Sequence, residues 1–441
     1  MRRLRFFGHR PGGLRSSTAG SRISPTSLFL RLLPHPLKTT RLLATALVAA
    51  PAVFSQPNAK LDEQLRAFVE RKDVPGIVVI AGDQQGVVYQ GAFGLAESGA
   101  GRAMTMDAII RIASMTKAVT AVAAMQLIEA GKLSLDDRAD KYLPELANVP
   151  VFESFDPATG AYTLRPAKSA ITVRQLFTHT SGLGYGFTSA VINKFKPREG
   201  ETYPVGPLLF DPGTDWIYGT STDQLGKLVE KLSGENLEAY FQAKIFGPLG
   251  MKDTSFVLPP EKYSRLVNNH RRGTDGTGPI TESPRSPTPP AAPARFNGGG
   301  GLYSTAGDYL RFLRMLLKGG ELDGARVLKR DSVALMAQNH IGPVGVRAVK
   351  STLPATSADF SFVDDGKDKW GLGFQITTAD VAGKRAPGSL SWGGINNTYF
   401  WWDPARGVAG VIMMQFLPFA DPKALAAYET FERGVYGMTA K

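Results

Sequence analysis

Ser114-Met115-Thr116-Lys117 sets a hydroxyl and an amine three residues apart. On a helix those side chains share a face, because positions three and four apart are surface neighbours. A serine hydroxyl is a weak nucleophile and needs a base beside it. A lysine can be that base only when burial or cationic company lowers its pKa to roughly 7–8. The start of a helix also offers unpaired backbone N–H groups to a developing oxyanion. The spacing alone is weak evidence, since one S-x-x-K is about what chance gives in 441 residues. A capping serine followed by a solvent-facing lysine explains those four residues more simply when they are taken alone.

Other chemistries find little footing. The chain has no cysteine, which removes thiol nucleophiles, thiolate zinc sites and iron–sulfur clusters. No G-x-S-x-G elbow is present, which argues against an α/β-hydrolase. Beyond the first 60 residues the only histidines are His179, His270 and His340, and no H-E-x-x-H occurs, so no metal and no cofactor is expected.

The company of the S-x-x-K changes its weight. The blocks Arg111–Lys117, Leu133–Asp137 and Tyr142–Leu146 are followed by Leu176–Leu183, which reads LFTHTSGL. Phe210–Tyr218 reads FDPGTDWIY, and Pro248–Met251, Gly299–Thr305 and Trp392-Gly393-Gly394 come after it in order. Together these resemble the β-lactamase-related serine hydrolases, most closely the class C β-lactamase-like esterases called family VIII carboxylesterases. The resemblance implies an α+β fold of the β-lactamase/penicillin-binding-protein type, an antiparallel sheet flanked by helices beside a mostly helical region. It also implies Ser114 as nucleophile, with Lys117 and Tyr218 sharing proton transfer. A cation beside a phenol favours phenolate, so Tyr218 can act as base and then as acid. Backbone N–H groups of Ser114 and Ile395 would form the oxyanion hole, with Trp392, Gly393 and Gly394 on the strand edging the site.

Two departures bear on function. The family places Asn two residues after the tyrosine, and here Thr220 stands there, a single hydroxyl in place of an amide. Trp392-Gly393-Gly394 replaces the Lys-Thr-Gly of true β-lactamases, so the charge that meets a β-lactam carboxylate is absent. Short-chain carboxylic esters are therefore the expected substrates. A β-lactamase, a D-Ala-type peptidase and an acyltransferase of the same fold are the alternatives, with an inactive binding module behind them. His179 falls in a block where the resemblance implies a structural role.

Elements must bring these residues together. Leu61–Val69 has helical spacing, and 77–81 with 87–93 reads as a hairpin around Gly82–Gly86. Residues 114–131 form a helix with Val119, Val122, Ala123, Leu127 and Ile128 on one face. Helices are expected at 222–232, 237–245 and 308–317, and strands at 390–393, 398–402 and 408–415 before a last helix at 423–435. The proline-rich stretch 273–294 reads as a surface loop that could partly cover the site. The expected division is a sheet part at about 60–113 and 330–441 and a helical part at about 114–329, within one catalytic domain over 56–441.

The first 55 residues read differently. Nine of the 51 basic residues fall in the first 41 positions, and no acid precedes Asp62. Outside that stretch 42 basic residues face 39 acidic ones, so the net charge of +12 is no sign of nucleic-acid binding. The apolar run 42–54 is too short to span a bilayer, which needs about 20 residues. With its basic flank and small residues it reads as a secretory signal over about 38–55, placing the product outside the cytoplasm. The partner expected is a small ester or β-lactam, with no stable membrane span.

Overall fold

Residues 58–273, 278–361 and 367–439 are described by a computed structural model, and the expected leader lies outside them. Helix α1 (Ala59–Glu70) starts where the Asn58 side chain accepts a hydrogen bond from Leu61 N, an N-cap. Its buried Leu61, Leu65 and Phe68 recur at helical spacing. Strands β1 (Gly76–Asp83) and β2 (Val87–Glu97) form the expected hairpin, with Ile80 opposite Gln90. The short β3 (Arg102–Ala103) lies beyond β2.

Strands from the far end of the chain complete the sheet: β4 (Lys369–Trp370), β5 (Gln375–Ile376), β6 (Leu390–Gly394), β7 (Thr398–Asp403) and β8 (Val408–Met413). The order is β4-β5-β6-β7-β8-β1-β2-β3, and each neighbouring pair is antiparallel. Val78 faces Met413 and Ile80 faces Val411, so the seam inside the sheet joins its earliest strand to its latest long one.

Helices α2 (Thr116–Glu129), α3 (Val173–Thr178) and α4 (Ser221–Ser233) lie between the two groups of strands in sequence, followed by α5 (Ala306–Leu317) and, last, α6 (Pro422–Thr439). Successive strand residues point to opposite faces, and Phe400 and Trp401 show what covers each. Phe400 packs on Tyr309 of α5, 5.2 Å between ring centres, whereas Trp401 packs on Phe431 of α6 at 5.3 Å. Both faces are covered, which is why β1 and β8 are buried at nearly every position.

Four expectations need correction. Helix α2 is not amphipathic: Thr116 through Met125 and Leu127 are all buried, and Ile128 is only half-buried. It runs through the interior, packed on α4, and a helix with no wet side keeps no polar stripe. The helix expected over 237–245 ends at Phe241 and widens into a π turn over Gln242–Phe246. Helix α5, expected in the helical part, packs on the sheet through Tyr309 and Leu310. The stretch 273–294 contains a strand, Ile280–Glu282, paired with His270–Arg272, so it is more than a loop.

Candidate active site

Ser114 lies in a 3-10 turn, Ala113–Met115, that leads directly into α2, with Ala113 held at a left-handed φ of 45°. Tyr309 of α5 fixes the turn by donating its hydroxyl to Met115 O at 2.9 Å. Strand β6 closes on the turn at Gly394. A Cβ there would meet Ile112 O at 2.2 Å, so only glycine allows the approach.

Lys117 is buried in the first turn of α2 and points back at Ser114. Its Nζ donates to Ser114 Oγ (3.3 Å), to the Tyr185 hydroxyl (3.1 Å) and to Gly299 O (2.6 Å). It also lies 4.8 Å from the centre of the Tyr218 ring. Burial acts to strip its proton, but the phenolic oxygens of Tyr185 and Tyr218 and the Asp223 carboxylate outweigh burial. The ammonium is therefore held above its usual range. This corrects the expectation of a lysine lowered towards neutrality: a group donating to three oxygens is kept as a cation.

Tyr218 arrives on the segment before α4. Gly219 behind it packs on the Leu176–Leu183 block so closely that a Cβ would sit 1.9 Å from Leu183 O. His179 supports the same segment: its backbone oxygen accepts from Ile217 N at 3.0 Å, and its ring lies 5.1 Å from that of Tyr218. Burial, then the Lys117 charge, drives His179 well below its usual range, so it stays neutral, in keeping with a structural role. The Tyr218 hydroxyl is buried and accepts or donates no hydrogen bond of ordinary geometry among the described residues. Its ring packs on Trp392 at 4.8 Å.

A cavity of only about 10 Å³ joins Ser114, Tyr218, Trp392, Gly393 and Ile395 under the rings of Phe187 and Phe419. That is room for about one water. Five predicted residues thus share one space with two aromatic rings that were not anticipated. Three predicted residues do not line it: Lys117 lies behind Ser114, bonded to its Oγ, and the other two are turned elsewhere. Gly394 faces away onto the Ile112 backbone, and Thr220 forms the N-cap position of α4 without its hydroxyl bonding the helix.

Two further residues complete the polar cluster. Tyr185 donates to Asp223 Oδ2 at 3.4 Å, and Asp223 Oδ1 accepts from Gly299 N at 2.9 Å. Burial pushes both the Tyr185 phenol and the Asp223 carboxyl up, the latter against the pull of Lys117. Neither has a motif spacing. The only sequence hint is their position, Tyr185 two residues past the LFTHTSGL block and Asp223 five past Tyr218.

Among the described residues, none of the proline-rich stretch lines the cavity at Ser114. Thr352 N donates to Phe187 O (3.0 Å), and the Thr352 hydroxyl donates to Gly186 O (2.6 Å). Ala358 N donates to Phe419 O (2.8 Å), and Phe360 packs on the Phe419 ring at 4.8 Å. Residues 349–360 therefore form a strap that ties both aromatic covers in place.

Residues 61–434 match the model of the Beta-lactamase family, and the chain belongs to that family of acyl-transferring serine hydrolases. It is 32% identical to monacolin J acid methylbutanoyltransferase of Aspergillus terreus, over 88% of this chain and 97% of that protein. It is also 32% identical to lovastatin esterase of Penicillium rubens, over 85% of this chain and 98% of the relative. Among solved structures, a mutant of simvastatin synthase (LovD) from Aspergillus terreus superposes with a TM-score of 0.74 at 30% identity, covering 89% of this chain and all of that one.

Proposed function

We propose that the protein cleaves carboxylic esters of short acyl chains through an acyl-enzyme on Ser114. The observation that carries this is the buried Lys117 ammonium, set between Ser114 Oγ, Tyr185 and the Tyr218 ring, next to a small cavity lined by Ser114 and Tyr218. Tyr218 takes the Ser114 proton, and Oγ adds to the ester carbonyl while the Ser114 and Ile395 N–H groups hold the oxyanion. The C–O bond to the alcohol then breaks, and the alcohol leaves with the proton from Tyr218. Water, deprotonated by the same tyrosine, releases the acid and restores Ser114. Lys117 stays charged throughout and stabilises the phenolate, which agrees with its being held above its usual range. Ile395 N–H suits the oxyanion role, because it has no backbone acceptor among the described residues.

A second acceptor is favoured by one observation, the likeness to a methylbutanoyltransferase over nearly its whole length. An alcohol in place of water would complete an acyl transfer on the same residues. Both readings are tested on one preparation. p-Nitrophenyl butyrate should be hydrolysed, a fluorescent phosphonate should add its mass to the Ser114 peptide, and added butanol should divert acyl groups to butyl butyrate. Labelling of another serine would remove the assignment, and a higher kcat/KM for a cephalosporin than for the butyrate would replace the esterase with a β-lactamase. We also propose export; N-terminal sequencing of the native product should find a start near Val53 or Gln56, and an intact N-terminus would refute it.

A further inference from the structure

The two N–H groups of the proposed oxyanion hole lie far apart in sequence. Ser114 is in the turn before α2, and Ile395 is in the turn between β6 and β7. Among the described residues no backbone hydrogen bond joins residues 111–115 to residues 394–397. Gly394 abuts Ile112 O, but a contact of that kind stops the two turns closing and does little to stop them parting. Asn396 supplies the attraction. Its Nδ2 donates to Arg111 O at 3.0 Å, from the residue beside Ile395 to the residue three before Ser114. The Thr398 hydroxyl reaches Ile112 O only at 3.5 Å, the far limit of a hydrogen bond.

Both anchors of this link are themselves fixed. On the serine side, Gln415 Oε1 accepts from Arg111 N at 2.9 Å, so Arg111 is held at its N–H and at its carbonyl. Gln415 is buried and sits at a left-handed φ of 56°, where glycine would be easier. The bond to Arg111 is what a glycine would lack. On the strand side, Asn396 O accepts from Phe416 N at 3.2 Å, and Asn397 Nδ2 donates to Phe416 O and Pro418 O, both at 2.8 Å. We infer that Asn396 is a positioning residue for the oxyanion hole, holding Ile395 N–H where one carbonyl oxygen can meet it and Ser114 N–H together. The inference rests on the ester-cleaving reading of Ser114. Formation and breakdown of the acyl-enzyme each pass through a tetrahedral oxyanion, so loss of the link should slow both steps and leave ground-state binding alone.

The probes are p-nitrophenyl butyrate and its thionoester, in which sulfur replaces the carbonyl oxygen. Sulfur is the weaker hydrogen-bond acceptor, so a well-set hole favours the oxygen ester and a loosened one loses that preference. In Asn396→Ala, kcat for the butyrate should fall about tenfold with KM within about twofold, less than the loss of about 10²–10³ that follows outright removal of a donor. The oxygen-over-sulfur ratio of kcat/KM should fall about fivefold, and recover in part in Asn396→Gln, which keeps the amide. Asn396→Asp, of equal size but without the donor, should match Asn396→Ala and replaces it if that variant does not fold. Butyl trifluoromethyl ketone adds to a nucleophilic serine as a tetrahedral oxyanion, and its affinity by calorimetry should weaken about tenfold in either variant. If the butyrate is not cleaved, the ester reading fails and the ketone still judges Asn396; a wild type that binds no ketone overturns both. If the butyrate is cleaved while ratio and ketone affinity ignore Asn396, the inference is overturned.

Discussion

Lys117 donates to three oxygens at once, and this sets how the cluster answers to mutation. On the proposed mechanism Lys117 and Tyr218 act on one proton, and the Lys117 Nζ lies 4.8 Å from the centre of the Tyr218 ring, so losing either disables the other. Lys117→Ala and Tyr218→Phe should each cost about 3–5 kcal/mol in kcat/KM, and the double variant little more, because groups that act as a unit are not additive. Fully additive losses in a double-mutant cycle would separate the two. The residue scale is also where the sequence said most and least. Ser114, Lys117, Tyr218 and Trp392 stood in ordered blocks, each legible through its neighbours. Tyr185, Asp223, Phe187 and Phe419 belong to no such block. Folding alone gives them meaning, by bringing a loop and a helix start against one lysine and a C-terminal turn over the cavity at Ser114. The sign of the Lys117 shift was likewise illegible, because it depends on which oxygens surround the amine.

At the scale of elements, the site is an edge. Strand β6 meets the turn before α2 at Gly394, where a methyl group would lie 2.2 Å from a carbonyl oxygen. Gly394→Ala should lower stability by about 1–3 kcal/mol in denaturant unfolding, since backbone cannot yield as a side chain does. Activity should fall with it, as Ile395 N–H shifts; a variant unchanged in both would show that the approach has slack. The strap 349–360 is the other element with a consequence, because it holds Phe187 and Phe419 over a cavity fit for about one water. Phe187→Ala should shift the preference among p-nitrophenyl esters from acetate towards octanoate about tenfold, a methylene or two of pocket space being worth that much. An unchanged chain-length profile would place the acyl chain elsewhere. The strap was not foreseen, since nothing in its composition says what it lies upon.

At the scale of the whole molecule, paired ends hold distant parts together. Arg165 grips Asp211 with two hydrogen bonds of 2.9 and 2.8 Å, joining the hairpin Val151–Arg165 to the segment that carries Tyr218. The guanidinium, helped by Lys168 N, holds the Asp211 carboxyl at about 2. Its folded value lies below the unfolded one, so this stabilisation is present above about pH 4. It is lost as the pH falls through about 2. Asp211→Asn should therefore lower Tm at pH 6, and the gap from the wild type should close as the pH approaches 2. A gap that persists in acid would assign the effect to packing.

The β1–β8 seam bears on how the protein is made. Residues 78–83 wait for residues 408–413 before the sheet can close, and Ser114 waits for Ile395. Such long-range pairing is slow to form, and the N-terminal part leaves the ribosome first. On the proposed mechanism the nucleophile, Ser114, is translated early but lacks its Ile395 partner while the chain is still tethered. On that reading, a stalled or truncated product that lacks the last strands should carry every residue of the S-x-x-K and none of the reactivity proposed for it.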